Sequence, residues 1–525
     1  MTVKTLNRNN IQMKGIITFL CYFLLSAGYP TFAQTDNEKN LKCLDEYYAK
    51  AINDWRVPGM AIAIVKDDSV IFAKGYGVRE IGKPEKVDKN TLFAIASNTK
   101  AFTSAAMAIL VDEGKVNWDD KVIKYLPWFQ MYDPYVTYNM TIRDLLCHRS
   151  GLATFSGDLI WFASNYSREE VIKRVRFLKP VYGFRERFGY SNIMYLTAGE
   201  VIHSVSGKSW DIFVAEKIFK PLGMSRTFTS VNDLKSMDNV AMCHTQYNDK
   251  IISIPYLNWD NIAPAGAINS CVADLAKWMK LQLRNGKIGS NQIFSEKRSK
   301  EMWSPNTPQN ISFFSEKQFP STHFKAYALG WGVSDYLGKK IVSHSGGYDG
   351  MLSYTCLIPE EKVGFVILTN CNNSVYNPLV FKTLDVLLGG KETDWSQLML
   401  ENMKRQQELE KKSSLEEEQK RVKESHPTLN LKEYEGLYGG ELYGNAIITN
   451  ENGSLKLSFV PAPKFHSLLK HWQYDTFFIQ FPDFPSLPEG KVTFIINAAG
   501  KVEEMRVNVP NPDFDFKELL FKKLE

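Results

Sequence analysis

Acidic residues are missing from the first 35 positions of this 525-residue chain, whereas Lys4, Arg8 and Lys14 all fall there. The apolar run that follows, Gly15 to Ala27, is short of the ~20 residues a membrane-spanning helix needs, and Gly28, Tyr29 and Pro30 break it. A basic start, a short apolar stretch and Thr31-Phe32-Ala33 ahead of Gln34 read as a secretory signal occupying residues 1–33. The mature chain is therefore expected to be exported, periplasmic or secreted, with no stable membrane span. A lipid anchor at Cys21 is the weaker reading, because Thr18-Phe19-Leu20 lacks the small residues expected before a lipidated cysteine. Losing three cations would bring the net charge from +5 to +2, too small for a nucleic-acid footprint.

Cysteine is also sparse. Of seven, Cys21 lies in the signal and the other six are scattered with no C-x-x-C pair, which argues against a zinc site or a thioredoxin-like motif and leaves both disulfides and buried free thiols open. No H-E-x-x-H and no acidic cluster is present, so neither a metal nor another cofactor is expected. The absence of G-x-S-x-G excludes the nucleophile turn of the α/β-hydrolases. Gly75-Tyr76-Gly77 is a hairpin glycine pair, since no helix follows to make it a dinucleotide loop.

What is present is a globular composition, 44% hydrophobic and 23% charged, long enough for two or three domains. Residues 41–390 alternate strand-like and helix-like stretches without a repeat. Met60 to Val65 and Ser69 to Gly77 read as a hairpin about Lys66-Asp67-Asp68. After Ser97, apolar residues at helical spacing run to about Gly114. Strands return at Lys340–His344 and Val363–Thr369, so the terminal strands of the domain are expected to share one sheet covered by helices. Residues 391–428 include a run of Glu, Lys, Arg and Gln that reads as a solvated linker helix ended by Pro427. Residues 429–525, rich in Tyr, Phe and Val with turns at Asn452-Gly453, Glu489-Gly490 and Ala499-Gly500, read as an all-β module.

The residues that carry chemistry begin with Ser97-Asn98-Thr99-Lys100, where the strand pattern gives way to a helix. Residues three apart share a helix face, so the amine of Lys100 can reach the hydroxyl of Ser97. The spacing alone has little weight: it recurs at Ser467 and Lys470, and Tyr-x-Asn recurs at Tyr256 and Tyr443. Only Ser97, Tyr190-Ser191-Asn192 at the head of a helix over 193–206, and His344-Ser345-Gly346 at the end of a strand stand in fitting context.

Ser-x-x-Lys, Tyr-x-Asn and His-x-Gly in this order resemble the serine β-lactamase and penicillin-binding superfamily. So do the flanks Thr141-Ile142-Arg143-Asp144-Leu145-Leu146-Cys147-His148-Arg149-Ser150-Gly151-Leu152, Pro221-Leu222-Gly223-Met224 and Leu329-Gly330-Trp331-Gly332. The nearest likeness is to the class C-type β-lactamase, esterase and D-aminopeptidase branch, and residues 431–520 look like the small β-barrel that often trails exported members. The resemblance implies an α+β fold, an α/β sandwich in which an antiparallel sheet is flanked by helices, with a helical subdomain and a C-terminal all-β barrel-like domain.

The resemblance further implies Ser97 as nucleophile, with Lys100 or Tyr190 taking its proton. Asn192, His344, Ser345 and Gly346 would bind substrate, and the backbone N–H groups of Ser97 and Gly347 would form an oxyanion hole. His148 would brace a loop. A neutral imidazole at 344, where true β-lactamases resemble one another in carrying lysine, is a poor clamp for a carboxylate and argues against antibiotic hydrolysis. Three functions follow: a hydrolase of a small-molecule or peptide-like ester or amide, an acyltransferase using a hydroxyl or amine acceptor, or a penicillin-binding-like protein without turnover.

Overall fold

The computed structural model describes residues 31–524; residues 1–30, which carry most of the expected signal, lie outside the described residues. Helix α1 (Thr31–Asp54) leads into an eight-stranded sheet made of β1 (Gly59–Lys66), β2 (Ser69–Gly77), β3 (Thr307–Gln309), β4 (Lys325–Tyr327), β5 (Gly332–Tyr336), β6 (Lys339–Tyr348), β7 (Met351–Ile358) and β8 (Val363–Thr369). The order is β2-β1-β8-β7-β6-β5-β4-β3 and every neighbouring pair is antiparallel. The first strands of the domain thus meet the last, as the sequence pattern anticipates.

Strand β1 shows why its sequence is apolar from Met60 to Val65. Ala61, Ala63 and Val65 face one core while Met60, Ile62 and Ile64 face another, so no position between Met60 and Val65 is left for a polar side chain. The first core lies under helix α2 (Thr99–Asp112) and the helices of the inserted segment between β2 and β3. The second is closed by Leu44 and Tyr48 of α1 together with Leu379 and Leu384 of the helix Tyr376–Leu388. Asp67 and Asp68 both have positive φ, which turns β1 tightly into β2.

The charged helix runs over Trp395–Gln419 and stops well before Pro427. Its end is set by the next module: the Arg421 guanidinium donates to the Trp472 carbonyl at 2.8 Å and the Val422 N–H to Gln473 Oε1 at 2.9 Å. Beyond it nine antiparallel strands between Gly436 and Lys523 form a nearly closed barrel whose two edge strands, His466–Leu468 and Lys470–Gln473, are consecutive in the chain. Asn452-Gly453 and Ala499-Gly500 are turns, but Gly490 instead opens a strand and pairs with Ile479. All six described cysteines are free thiols, five of them buried. Among the described residues no helix is long and apolar enough to cross a membrane.

Candidate active site

Ser97 does not sit in the first turn of the α-helix. It lies in a single 3₁₀ turn, Ala96–Asn98, directly before α2, and Ala96 holds a left-handed φ of 46°. A left-handed alanine costs about 1–3 kcal/mol and persists only where its surroundings hold it. Here they do: Asn98 Nδ2 donates to Ser353 Oγ at 2.8 Å, and Ser353 Oγ donates to the Ile95 carbonyl at 2.7 Å. The segment around Ala96 is thereby tied to strand β7, and the Ser97 side chain is left half-buried at a cavity wall.

Lys100, the second residue of α2, is fully buried. Its Nζ stands 3.0 Å from Ser97 Oγ and donates to Asn192 Oδ1 at 2.6 Å and to the Ala265 carbonyl at 2.8 Å. Burial pulls the amine down to about 7, with the negative charge of Asp158 partly opposing. Asn192 is the first residue of the helix Asn192–Ser206 and passes the network on, its Nδ2 donating to Asp158 Oδ2 at 2.6 Å. The other carboxylate oxygen of Asp158 accepts from Trp161 Nε1 at 2.9 Å, and burial pushes this carboxyl up to about 7. Neither Asp158 nor the Ala265 carbonyl carries a motif or spacing that marks it in the sequence.

Tyr190 precedes the same helix, with its ring 4.7 Å from Lys100 Nζ and its hydroxyl near Ser97. Burial drives the phenol well above its ordinary value. Behind it lies His148, whose ring packs on Tyr190 at a centroid distance of 4.2 Å and whose Nδ1 accepts the Ser191 N–H at 3.0 Å. The buried histidine therefore braces the loop by positioning the Tyr190 segment itself.

The strand expected to close near His344 continues to Tyr348. Its partner β5 pairs only as far as Ser343, so from His344 onward one edge of β6 has no strand beside it, and the Ser97 turn packs over the face of β6 at Gly346. A side chain at Gly346 would place its Cβ 2.3 Å from the Ile95 carbonyl and 3.0 Å from Ser97 N, which explains glycine at this position. Ser345, Gly346 and Gly347 line the cavity beside Ser97. His344 lines it too, but its Nδ1–H is used by the Ser345 carbonyl at 2.6 Å and its Nε2 accepts from the Tyr327 hydroxyl at 2.7 Å. Burial and the nearby Lys100 hold His344 at about 3, so it is neutral and both nitrogens are spent.

The structure thus brings Ser97, Lys100, Tyr190, Asn192, His344, Ser345, Gly346 and Gly347 to one cavity or its immediate wall. The recurrent spacings are elsewhere. Ser467 Oγ bonds the Leu468 carbonyl and the Gln480 N–H, and Tyr256 bonds the Ala241 carbonyl. The cavity measures about 870 Å³, and its wall includes Met403 of the charged helix and the barrel segments 486–488 and 510–514, so the C-terminal module leans over Ser97. Among the described residues no group of His, Cys, Asp or Glu could hold a metal ion.

The family model described as Beta-lactamase matches residues 44–381, and one described as Domain of unknown function (DUF3471) matches residues 420–523. The chain is 31% identical over 432 residues to the Unguisins hydrolase ungD' of Aspergillus campestris, covering 76% of this chain and 77% of that protein. It is 30% identical over 331 residues to Protein flp of Staphylococcus aureus, covering 62% of each. The octameric penicillin-binding protein homologue from Pyrococcus abyssi superimposes with a TM-score of 0.61 at 24% identity, over 89% of this chain and 99% of that one, a likeness of fold. With the family model spanning well over half of its length and hydrolase-named relatives beside it, the chain belongs to the beta-lactamase family.

Proposed function

We propose that the protein is an exported serine hydrolase that cleaves an ester or amide through an acyl-enzyme on Ser97. The observation that carries this reading is the environment of Lys100 Nζ. A neutral amine has two N–H donors and one lone pair. Asn192 Oδ1 and the Ala265 carbonyl occupy the two donors, so the lone pair is the part of the amine left for the Ser97 hydroxyl 3.0 Å away. With the amine near 7, about half of it is neutral at neutral pH, where a general base works best.

The steps follow from these positions. Lys100 takes the Ser97 proton as Oγ attacks the substrate carbonyl carbon. The negative charge that forms on the carbonyl oxygen is met by the N–H groups of Ser97 and Gly347. Collapse breaks the bond to the alcohol or amine, which leaves with the proton held by Lys100. Water then attacks the acyl carbon, releasing the acid and restoring Ser97. Burial keeps Tyr190 as a neutral phenol, which favours Lys100 over Tyr190 as the base.

The export reading rests on residues 1–33, and appearance of the mature chain in the extracytoplasmic fraction tests it. The catalytic reading is tested by a panel of p-nitrophenyl esters, D-aminoacyl amides and a cephalosporin on wild type and Ser97→Ala, with product analysis in the presence of hydroxyl acceptors. Turnover of esters or amides that vanishes in Ser97→Ala supports it; equal rates in the two proteins sink it. Acyl transferred to acceptors in place of free acid would make the enzyme a transferase.

A further inference from the structure

The charges lining the cavity are all of one sign. Among the described residues that form its wall the ionisable carboxylates are Asp158, Asp349 and Asp513, and no Lys or Arg is present. Lys100 lies behind Ser97, already engaged by three oxygens, and His344 is neutral with both nitrogens used. Asp158 is likewise committed to Asn192 and Trp161. That leaves Asp349 and Asp513 to set the field experienced by a substrate.

These two come from different parts of the chain. Asp349 stands in the turn between β6 and β7, two residues past Gly347, and shares the cavity wall with Asn372 and with Ser486 of the barrel. Asp513 belongs to the barrel segment Pro510-Asn511-Pro512-Asp513-Phe514 that forms part of the same wall. Burial raises both carboxyls above their ordinary value, and no cation offsets this at either one. The rest of the wall is strongly aromatic, including Phe155, Trp161, Phe188, Trp259, Tyr348 and Phe514. A carboxylate entering such a space would lose its hydration, find no guanidinium or ammonium partner, and meet two like charges.

We propose that this cavity selects acyl substrates that carry no carboxylate, neutral or amine-bearing esters and amides with bulky apolar groups, and that Asp349 with the barrel residue Asp513 are the residues that enforce the selection. The inference rests on Ser97 as nucleophile and adds the substrate class. It also assigns the C-terminal module a part in specificity, since one of the two carboxylates and a share of the aromatic wall come from it. Nothing in the pocket replaces the cation that a β-lactam carboxylate or a peptide C-terminus would require.

The test uses three p-nitrophenyl esters of equal acyl length whose far end is a methyl, an ammonium or a carboxylate group. On the full chain the carboxylate ester is expected to have kcat/KM lower than the other two by roughly tenfold or more. In Asp349→Asn/Asp513→Asn that ratio should shrink toward unity, chiefly through gain on the carboxylate ester. Calorimetric binding of the three matched non-hydrolysable ketones to Ser97→Ala reads the same order without any turnover. Equal handling of the three end groups by wild type, or a ratio unchanged in the double variant, overturns the selection. Absence of turnover, or turnover surviving in Ser97→Ala, would instead overturn the catalytic reading while the binding order still decides the selection.

Discussion

At the scale of single residues, the site depends on two buried groups that each approach neutrality. Lys100 and Asp158 are both drawn to about 7 by burial, one downward and one upward, and Asn192 bridges them. Protonated Lys100 has no lone pair, so kcat/KM is expected to rise with pH through about 7 and to fall below it. The negative charge of Asp158 favours the ammonium form. Asp158→Asn should therefore move the acid limb of the profile to lower pH while lowering kcat roughly tenfold through the disturbed Asn192 contact, read from initial rates between about pH 5 and 9. An acid limb that stays in place would show that Lys100 does not control it.

Ser97 and Lys100 were legible in the sequence because a helical spacing of three is local and the motif order is distinctive. Asp158 and the Ala265 carbonyl were not, because they reach the lysine network from chain segments 58 and 165 positions away, and no local pattern encodes that meeting. His344 was legible as a residue but not in its hydrogen-bonding state, which depends on Tyr327 across the sheet.

At the scale of elements, the face of β6 at Gly346 and the turn at Ala96 form one unit. The strand loses its partner after Ser343, and the backbone of Ile95 to Ser97 closes over its face at Gly346 at a distance only glycine permits. Gly346→Ala should shift the Ser97 turn and its N–H, costing kcat on the order of 10²-fold or more, as loss of an oxyanion donor does, with a smaller effect on the thermal midpoint. Unchanged kcat in a folded Gly346→Ala protein would separate this strand from the chemistry. The apolar run of β1 showed in the sequence because burial on both faces leaves no alternative pattern. The end of the charged helix did not, because it is fixed by Trp472 and Gln473 of the barrel and not by Pro427.

At the scale of the whole molecule, the barrel is fastened to the loop that carries Asp158. Glu518 accepts from Ser156 Oγ, from the Gly157 N–H at 2.9 Å and from the Tyr443 hydroxyl. Nearby, the Asn165 N–H donates to the Pro461 carbonyl at 2.8 Å. Aromatic packing adds to this, with Phe162 of the main domain 4.4 Å from Phe514 between ring centroids. A path thus runs from Tyr443 and Glu518 through the Ser156-Gly157-Asp158 loop to Asn192 and Lys100. Glu518→Ala leaves three donors without their acceptor, and each costs about 1–3 kcal/mol where it stays dry. The expected result is a lower thermal midpoint together with a reduced kcat on the same ester, measured by calorimetry and initial rates. A wild-type kcat in Glu518→Ala would mean that the barrel's hold on the loop does not reach the lysine. The barrel was recognisable from its strands and turns, but its place over the cavity depends on contacts between distant segments, such as Ser156 with Glu518, 362 positions apart.

The central claim is that Ser97 becomes acylated. Intact-mass and peptide-level mass spectrometry after incubation with a fluorophosphonate probe tests it most directly. One adduct per chain, mapped to Ser97, absent from Ser97→Ala and formed more slowly below about pH 7 as Lys100 takes up its proton, is the predicted result. No adduct on the wild type, or an equal adduct on Ser97→Ala, would contradict it.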